Sequence, residues 1–283
     1  LNRKQFGLAS VIKLHSKGDE EGRWLTDLDM SIRQDQVQDS KSRLIYRGEH
    51  QTENDGKAFL DFGENDWKHT IVKFSTIASR RQPNQTIGFW MTTGTNVKFP
   101  TLQQQISLTD LPTEGQTALF PEKMKSLEIG VRIVNKPKGI PDIDQIEFQG
   151  SFFRNDYTDK MRVTYLLGMP VGYYENVGIA DMVGYEGNAK FKFYNGLMVA
   201  EAGFSKYNVS DLSVFPFKST SKLTGKVTGE WKSLSFGYRW FRESEQIGWI
   251  LLPREGFKEI ELPSFSNYDL SMTFDLNVGP VKG

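Results

Sequence analysis

Three acidic residues stand close together in the stretch DIDQIEFQG at residues 142–150. Asp142 and Asp144 lie two residues apart, which places them on one face of a strand. Glu147 joins that face if a β-bulge inserts one residue. Glycoside cleavage uses carboxylates as nucleophile, helper and general acid. The spacing therefore makes Asp142, Asp144 and Glu147 the candidate catalytic residues of a hydrolase.

The same stretch resembles the active-site strand of the family 16 glycoside hydrolases, β-jelly-roll enzymes whose pattern is Glu-x-Asp followed by Glu one or two residues later. The resemblance covers residues 142–150 only, and it departs from the pattern at Asp142, where the family has a nucleophilic Glu. A side chain one methylene shorter misplaces its oxygen by about 1 Å, which costs roughly 100-fold in rate. We therefore expect a solvated strand entry here and keep hydrolysis as the third hypothesis.

The sequence contains few other residues that could form a catalytic or metal-binding site. The chain has no cysteine and three histidines, His15, His50 and His69, none at a zinc-ligand spacing. The acidic stretch ENDGKAFLDFGEND at 53–66 does not fit a calcium loop, because the twelfth position, counted from Gln51, is Phe62 rather than Glu. We expect no metal and no cofactor. These absences favour a binding or structural component over an enzyme.

Aromatic residues offer a second kind of site. Exposed rings could form a platform on which sugars stack, and core packing is the alternative fate of the same side chains. The candidate ligand-binding residues are Trp67, Trp90, Tyr173, Tyr174 and Trp231.

The composition argues against two kinds of partner, nucleic acid and a membrane. Lys plus Arg and Asp plus Glu both number 35, which gives a formal net charge of zero and no field to hold a phosphate backbone. We therefore expect no nucleic acid partner. The longest apolar runs, such as IGWILLP at 247–253, are far shorter than the roughly 20 residues of a spanning helix, so we expect no membrane span.

The elements that must position these residues are strands. In KSLEIGVRIV, from Lys125, and KSLSFGYRWF, from Lys232, apolar residues alternate with polar ones and with glycine. This period of two is typical of half-buried strands. The same alternation occurs from Met161 to Leu167 and from Leu270 to Val278.

The stretches from Lys125 and Met161 recur, in the same order and at nearly constant separation, as those from Lys232 and Leu270. GKAFLDF at 56–62 is likewise matched by GNAKFKF at 187–193. We interpret this recurrence as an internal duplication. The predicted organisation is an N-terminal arm or edge segment at 1–40, a β module at 41–172 with an extra loop at about 79–113, and a second β module at 173–283. Both modules are expected to be antiparallel sandwiches, jelly-roll or immunoglobulin-like, because abundant Phe suits two interdigitating inner faces. Alternating aromatic strands also occur in membrane barrels, which irregular loops and a duplication suit poorly.

The leading functional hypothesis is a non-enzymatic structural or attachment component of an oligomeric particle, such as a virion, a phage tail or a surface assembly. Its expected partners are further copies or other assembly proteins, and its location an extracellular or virion surface. A lectin-like protein with two related glycan-binding modules is the second hypothesis.

Overall fold

The computed structural model describes residues 2–16, 22–40, 42–46, 58–62, 64–106, 119–166, 172–252 and 256–274. Within these ranges the chain is almost entirely β-structure, with a single short helix, α1 (Leu102–Ile106), and one 3-10 turn at Leu212–Val214. The strands are β1 (Arg3–His15), β2 (Trp24–Asp39), β3 (Ser42–Tyr46), β4 (Ala58–Phe62), β5 (Asn65–Gln82), β6 (Gln85–Lys98), β7 (Glu122–Asn135), β8 (Ile143–Thr158), β9 (Met161–Leu166), β10 (Gly172–Asn176), β11 (Ile179–Phe193), β12 (Met198–Val209), β13 (Ser221–Trp231), β14 (Leu234–Glu243), β15 (Gln246–Leu252), β16 (Gly256–Leu262) and β17 (Phe265–Phe274).

One antiparallel sheet of eleven strands dominates the structure. Its order is β1-β2-β5-β6-β7-β8-β11-β12-β13-β14-β17, so sequence neighbours pair except where a connection carries extra strands. Two smaller sheets are formed by such connections: β10-β9-β15-β16 and the pair β3-β4. Within the described residues, β1 and β17 are the two edges of the large sheet.

The two ends of the large sheet differ in how their strands are joined. At one end, here called the short-turn end, the connections are two residues long at 83–84 and 232–233, four at 194–197, seven at 136–142 and eight at 16–23. Gly196 in the four-residue connection has φ of 82°, a left-handed conformation that costs glycine little. At the opposite, long-loop end, the connections hold α1, the 3-10 turn and the six strands of the two smaller sheets.

The large sheet has one apolar and one mainly polar face, because its side chains alternate in every strand. The apolar face is exposed: Leu8 in β1 is 77% exposed and Leu270 in β17 is 74% exposed. Register partners continue this face across the sheet, as in the run Phe89, Val131, Gly150. Large exposed side chains on it include Phe6, Ile12, Ile32, Val72, Ile129, Phe148, Phe152, Phe204, Leu223, Tyr238 and Met272. No second layer covers this face in the described part of the chain.

Strand register shows that the strands are tilted. A single row of cross-strand partners starts at the next-to-last residue of β14, at the long-loop end, and finishes at the third residue of β2, at the short-turn end. The row is Arg242, Leu223, Phe204, Gly187, Gly150, Val131, Phe89, Ala78 and Thr26. The row runs perpendicular to the strands, yet it passes from one end of the sheet to the other, so neighbouring strands are staggered. A barrel wall requires this stagger.

The small buried core lies at the long-loop end rather than at the centre of the sheet. Ala180 and Met182 of β11 pack there with Val214 and Phe215 of the 3-10 turn. Tyr157 adds an edge-on ring contact to Phe215, with ring centroids 5.5 Å apart. The core therefore holds the loop structure on the sheet and does not join two sheet layers.

The predicted pair of sandwich modules is wrong. The first KSL stretch lies within β7 and the second enters β14 at Leu234, and both strands are members of one continuous sheet. They look alike because every strand of this sheet alternates between the same two environments, so similar alternation does not require two cores. The module boundaries near residues 40 and 172 and the ancestral duplication stay predictions. Part of the predicted extra loop, at 107–113, lies outside the described residues.

Candidate polar-face site

A row of charged side chains crosses the polar face near its middle. Glu147, Lys190, Glu201, Lys226, Arg239 and Asp269 are successive register partners on six adjacent strands. Lys190 Nζ lies 2.8 Å from Glu201 Oε1, and Glu147 Oε1 accepts a 2.7 Å hydrogen bond from Arg132 Nε. This charge row makes the centre of the polar face strongly hydrophilic.

A hollow of about 320 Å3 adjoins the charge row. Its lining is hydrophilic and includes Glu128, Gln149, Ser151, Glu186, Asn188 and Lys222. Neighbours hold the charged groups: Trp90 Nε1 donates to Glu128 at 3.2 Å, and Tyr207 Oη donates to Glu186 at 2.8 Å. Lys222 Nζ is 2.7 Å from Glu243. The hollow presents fixed carboxylate, amide and hydroxyl groups that suit water and polar solutes.

A buried carboxylate, Asp39, anchors the long-loop end. Arg3 binds it through two nitrogens, Nε at 2.6 Å and Nη2 at 2.8 Å, and Gln105 Nε2 donates at 3.0 Å. Asn65 Nδ2 also donates to Gln105 at 3.4 Å. Burial raises the pKa of Asp39, but the bonds from Arg3 and Gln105 outweigh it, so the pKa is lowered overall. This Asp39 anchor ties α1 to β1, β2 and β5.

Aromatic packing supports the Asp39 anchor. The Trp67 ring stacks on Phe99 with centroids 6.2 Å apart, and the Arg3 guanidinium lies 5.9 Å from the Trp67 ring. His69 also contacts Phe99, at 5.8 Å. His69 therefore takes part in the aromatic packing beside the anchor.

Further ion pairs fix the small sheet β10-β9-β15-β16 at the same end. Glu122 accepts from Lys160 Nζ at 3.0 Å and from the Met161 backbone N–H at 3.0 Å. Arg162 binds Glu175 through Nε at 3.0 Å and Ser213 at 3.2 Å. These bonds join β7, β9, β10 and the 3-10 turn into one ordered cap.

The candidate catalytic carboxylates do not form a trio. Asp142 lies in the turn before β8 with φ of 68°, and it is exposed. Asp144 accepts a hydrogen bond from the Gly196 backbone N–H at 2.8 Å, whereas Glu147 belongs to the charge row. Asp144 and Glu147 thus have different partners, and no hydrogen bond joins any two of the three carboxylates.

The candidate sugar-binding aromatics lie on separate strands. Trp67 packs in β5 as described, and the ring of Trp90 in β6 lies over Gly130 on the polar face. Tyr174 is half-buried in β10, while the side chain of Tyr173 lies outside the described residues. Trp231 ends β13 at the short-turn end, 65% exposed, with Lys232 Nζ 4.9 Å from its ring. Among these residues the structure shows no common platform.

Sequence reasoning missed the charge row. Its residues are charges at alternate strand positions, and the signal is visible in GNAKFKF, where Lys190 and Lys192 alternate with aromatic residues. A sandwich places such charges on its outside, and a barrel places them inside, so the pattern alone does not reveal that they meet in one row.

Helices do not provide a membrane span in the described residues, since neither α1 nor the 3-10 turn has the length and hydropathy to cross a bilayer. No group of three or more His, Cys, Asp or Glu in the described ranges is arranged to hold a metal ion.

Comparison with known proteins gives a consistent picture. The family described as "TonB dependent receptor-like, beta-barrel" matches residues 18–282. No curated protein matches the chain. Solved structures resemble it in fold alone, because their sequence identity is low.

Three of these structures illustrate the similarity. The copper transporter OprC superposes with a TM-score of 0.64 at 15% identity, over 97% of this chain and 40% of that one. The FrpB iron transporter from Neisseria meningitidis (F3-3 variant) gives 0.59 at 15% identity, over 97% and 39%. The siderophore receptor PiuA from Acinetobacter baumannii gives 0.55 at 13% identity, over 98% and 38%. The chain thus spans about two fifths of the length of these structures.

The family match corrects several expectations. The virion or surface-assembly role, the lectin-like role and family 16 glycoside hydrolysis are wrong, as is the expectation of no membrane span. The expected assembly partners and glycan are wrong with them. The functional errors follow from placing the apolar faces inside two sandwiches, whereas here they lie on the exposed side of one sheet. The expectation of no membrane span considered helices alone. Receptors of this kind are not enzymes, which agrees with the absence of a catalytic set predicted from the sequence.

The large tilted sheet has an exposed apolar face and a charged opposite face, as a barrel wall does. This architecture agrees with the family match over residues 18–282. The chain belongs to the family of TonB dependent receptor-like β-barrels.

Proposed function

We propose that this chain forms part of the wall of an outer-membrane barrel that takes up a metal ion or a metal–siderophore complex with energy supplied through TonB. The observation that carries the proposal is the two-sided sheet: an exposed apolar face opposite a hydrophilic face that carries the charge row. In outer-membrane barrels the apolar side chains contact lipid and the polar ones line the lumen.

The ends of the sheet supply the orientation. Outer-membrane barrels have short periplasmic turns and longer extracellular loops. The short-turn end is accordingly assigned to the periplasm, and the long-loop end, with the Asp39 anchor and the cap around Glu122, to the cell exterior. A substrate arriving from outside meets these loops first and then the polar face.

The substrate class is proposed from the similar structures, which are a copper transporter, an iron transporter and a siderophore receptor. Large outer-membrane transporters have about 22 strands around a plugged lumen. The eleven strands of the large sheet supply about half of such a wall. We therefore assign the remaining wall and the plug to other parts of a full-length receptor.

Adjacent residues on opposite faces test the membrane placement. Phe148→Lys puts a charge on the apolar face near the middle of β8, and Gln149→Lys puts the same charge on the polar face. A lipid-facing Lys near the bilayer midplane costs about 2–4 kcal/mol. We expect F148K to reduce the heat-modifiable, folded receptor in outer membranes and Q149K to leave it unchanged. Equal behaviour of the two variants contradicts the placement.

Uptake is tested in cells that produce or lack the full-length receptor. Accumulation of copper, iron and ferric siderophores is measured with and without functional TonB. We expect accumulation of one of these to require both the receptor and TonB. Accumulation that is independent of either one contradicts the transport role.

A further inference from the structure

The apolar face carries a groove of about 450 Å3 that runs across β11, β12, β13, β14 and β17. Its floor consists of small residues and its walls of aromatic rings. Floor and walls include Ala200, Ala202, Gly225, Phe191, Trp240 and Tyr268. A depression of this kind on a lipid-facing surface accommodates a flexible apolar chain.

Strand register explains the shape of the groove. Ala202, Gly225, Trp240 and Tyr268 are consecutive partners on four strands, so two small residues are followed directly by two large rings. A Cβ on Gly225 would lie 3.4 Å from Cε3 of Trp240, which shows that the Trp240 ring borders the glycine closely. The wall is therefore built into the sheet itself.

Two cations stand beside the groove toward the long-loop end. Arg242 follows Trp240 by two residues on the apolar face of β14, and Lys206 follows Ala202 by four on the same face of β12. Both side chains are exposed, and neither forms an ion pair within the described residues.

The tilt of the sheet brings these cations to one membrane height. The partner of Arg242 on β12, reached through Leu223, is Phe204. Rows descend toward the short-turn end from β14 to β2, so equal height on β12 lies about two to three residues beyond Phe204, at a tilt of 35–45°. Lys206 occupies that position. Two strand spacings across and two residues along the strand separate their Cα atoms by roughly 12 Å, which two long basic side chains bridge around one anionic group.

We infer that this groove binds an acyl chain of a phosphate-bearing lipid of the outer leaflet, with Lys206 and Arg242 holding its headgroup. Charge complementarity selects this occupant: the groove is apolar, and the exposed charges beside it are cations at the extracellular side. Lys and Arg form strong hydrogen bonds to phosphate oxygens. The inference rests on the membrane placement proposed above.

Lipid retention by the full-length receptor provides the test. The receptor is purified in neutral detergent and titrated with bisphosphorylated lipid A, and native mass spectrometry counts bound lipid. Each basic residue near a membrane surface contributes about a fivefold gain in affinity, so K206A/R242A is expected to weaken binding about 25-fold. The wild-type receptor is expected to bind dephosphorylated lipid A much more weakly.

The matched control removes one Lys and one Arg from the opposite, polar face. Lys192 of β11 and Arg239 of β14 lie on that face and do not line the groove, so K192A/R239A is expected to retain lipid binding. Filling the groove with A202L is expected to weaken binding with both cations intact, whereas A78L, on the apolar face of β5, is expected to leave it unchanged.

The inference is overturned by undiminished binding in K206A/R242A, by an equal loss in K192A/R239A, or by a receptor dimer on this face in place of bound lipid. A barrel that assembles and transports normally but does not distinguish phosphorylated from dephosphorylated lipid overturns this inference alone. Failure of F148K and Q149K to differ overturns the proposed function itself.

Discussion

Asp39 is the clearest case in which a single side chain organises its surroundings. It is almost fully buried, and it accepts two hydrogen bonds from Arg3 and one from Gln105. A buried carboxylate is tolerated when its charge is compensated in this way. Because its partners come from β1 and α1, this one residue connects the edge of the sheet with the loop structure at the long-loop end.

Asp39→Asn keeps the size of the side chain and removes its charge. Since hydrogen bonds to charged groups contribute about 1.5–3 kcal/mol each, we expect local opening around α1 to become easier by about 2–3 kcal/mol. Hydrogen exchange of the backbone amides at 101–106 measures this change. Asp66→Asn is the control, because Asp66 accepts from Gln36 at an exposed site. Equal protection of these amides in D39N and wild type contradicts the anchoring role.

The same anchor is expected to depend on pH. The pKa of Asp39 is lowered in the folded protein, so its contribution to stability is complete above the unfolded value of 3.8 and is lost as pH falls through the folded value. Protection of the amides at 101–106 is therefore expected to drop in wild type below about pH 4. D39N lacks this group and is expected to show no such drop. A parallel acid response in both proteins assigns the effect to another carboxylate.

At the scale of elements, strand pairing depends on complementary side-chain sizes. The ring of Trp90 in β6 covers Gly130 in β7, and a Cβ there would lie 2.1 Å from Cζ2 of Trp90. An aromatic ring that shields a strand glycine is a recognised way of fixing register. Trp90 also donates to Glu128 in β7, so one side chain meets the neighbouring strand at two points.

Gly130→Ala is expected to displace the Trp90 ring and to weaken its bond to Glu128. Overpacking of this kind costs about 1–3 kcal/mol. Gly88→Ala in β6 is the matched control, because the nearest atom to its added Cβ would be 3.8 Å away. Thermal unfolding followed by tryptophan fluorescence should separate the two variants. A destabilisation by G88A as large as that by G130A would show that loss of strand glycines, rather than the contact with Trp90, is responsible.

At the scale of the whole molecule, the two edges of the large sheet are its main unsatisfied feature. β1 and β17 each have one side without a strand partner in the described residues. In lipid, unpaired backbone groups cost several kcal/mol each, so membrane-spanning sheets close into barrels. The proposed full-length receptor therefore has to supply strands that pair with both edges.

Hydrogen exchange of the full-length receptor tests this closure. We expect amides of β1 and β17 to be protected as strongly as those of central strands such as β8 and β11. Rapid exchange at alternate amides along either edge, with β8 and β11 protected, contradicts the expectation that additional strands complete the wall.

Much of the secondary structure could be predicted from the sequence. The stretch from Lys125 lies in β7, and the stretch from Lys232 enters β14 at Leu234. The stretches from Met161 and Leu270 lie in β9 and β17 up to Leu166 and Phe274, and their remaining residues are outside the described ranges. The absence of a coherent catalytic set also agrees with the family. A period of two is a local property of the chain, which explains why it could be read without the fold.

What the alternating side chains contact was decided only by tertiary structure. Leu127, Phe148 and Tyr238 alternate as residues of a sandwich core would, yet they lie exposed on one face of one sheet. Their polar neighbours Glu147, Lys190 and Glu201 come together in the charge row because strand order and register align them. The sequence by itself determined which residues share a face. The pairing of distant strands decided whether that face packs on another sheet or faces lipid. An apolar face is stable in either environment, so the sequence pattern does not distinguish them.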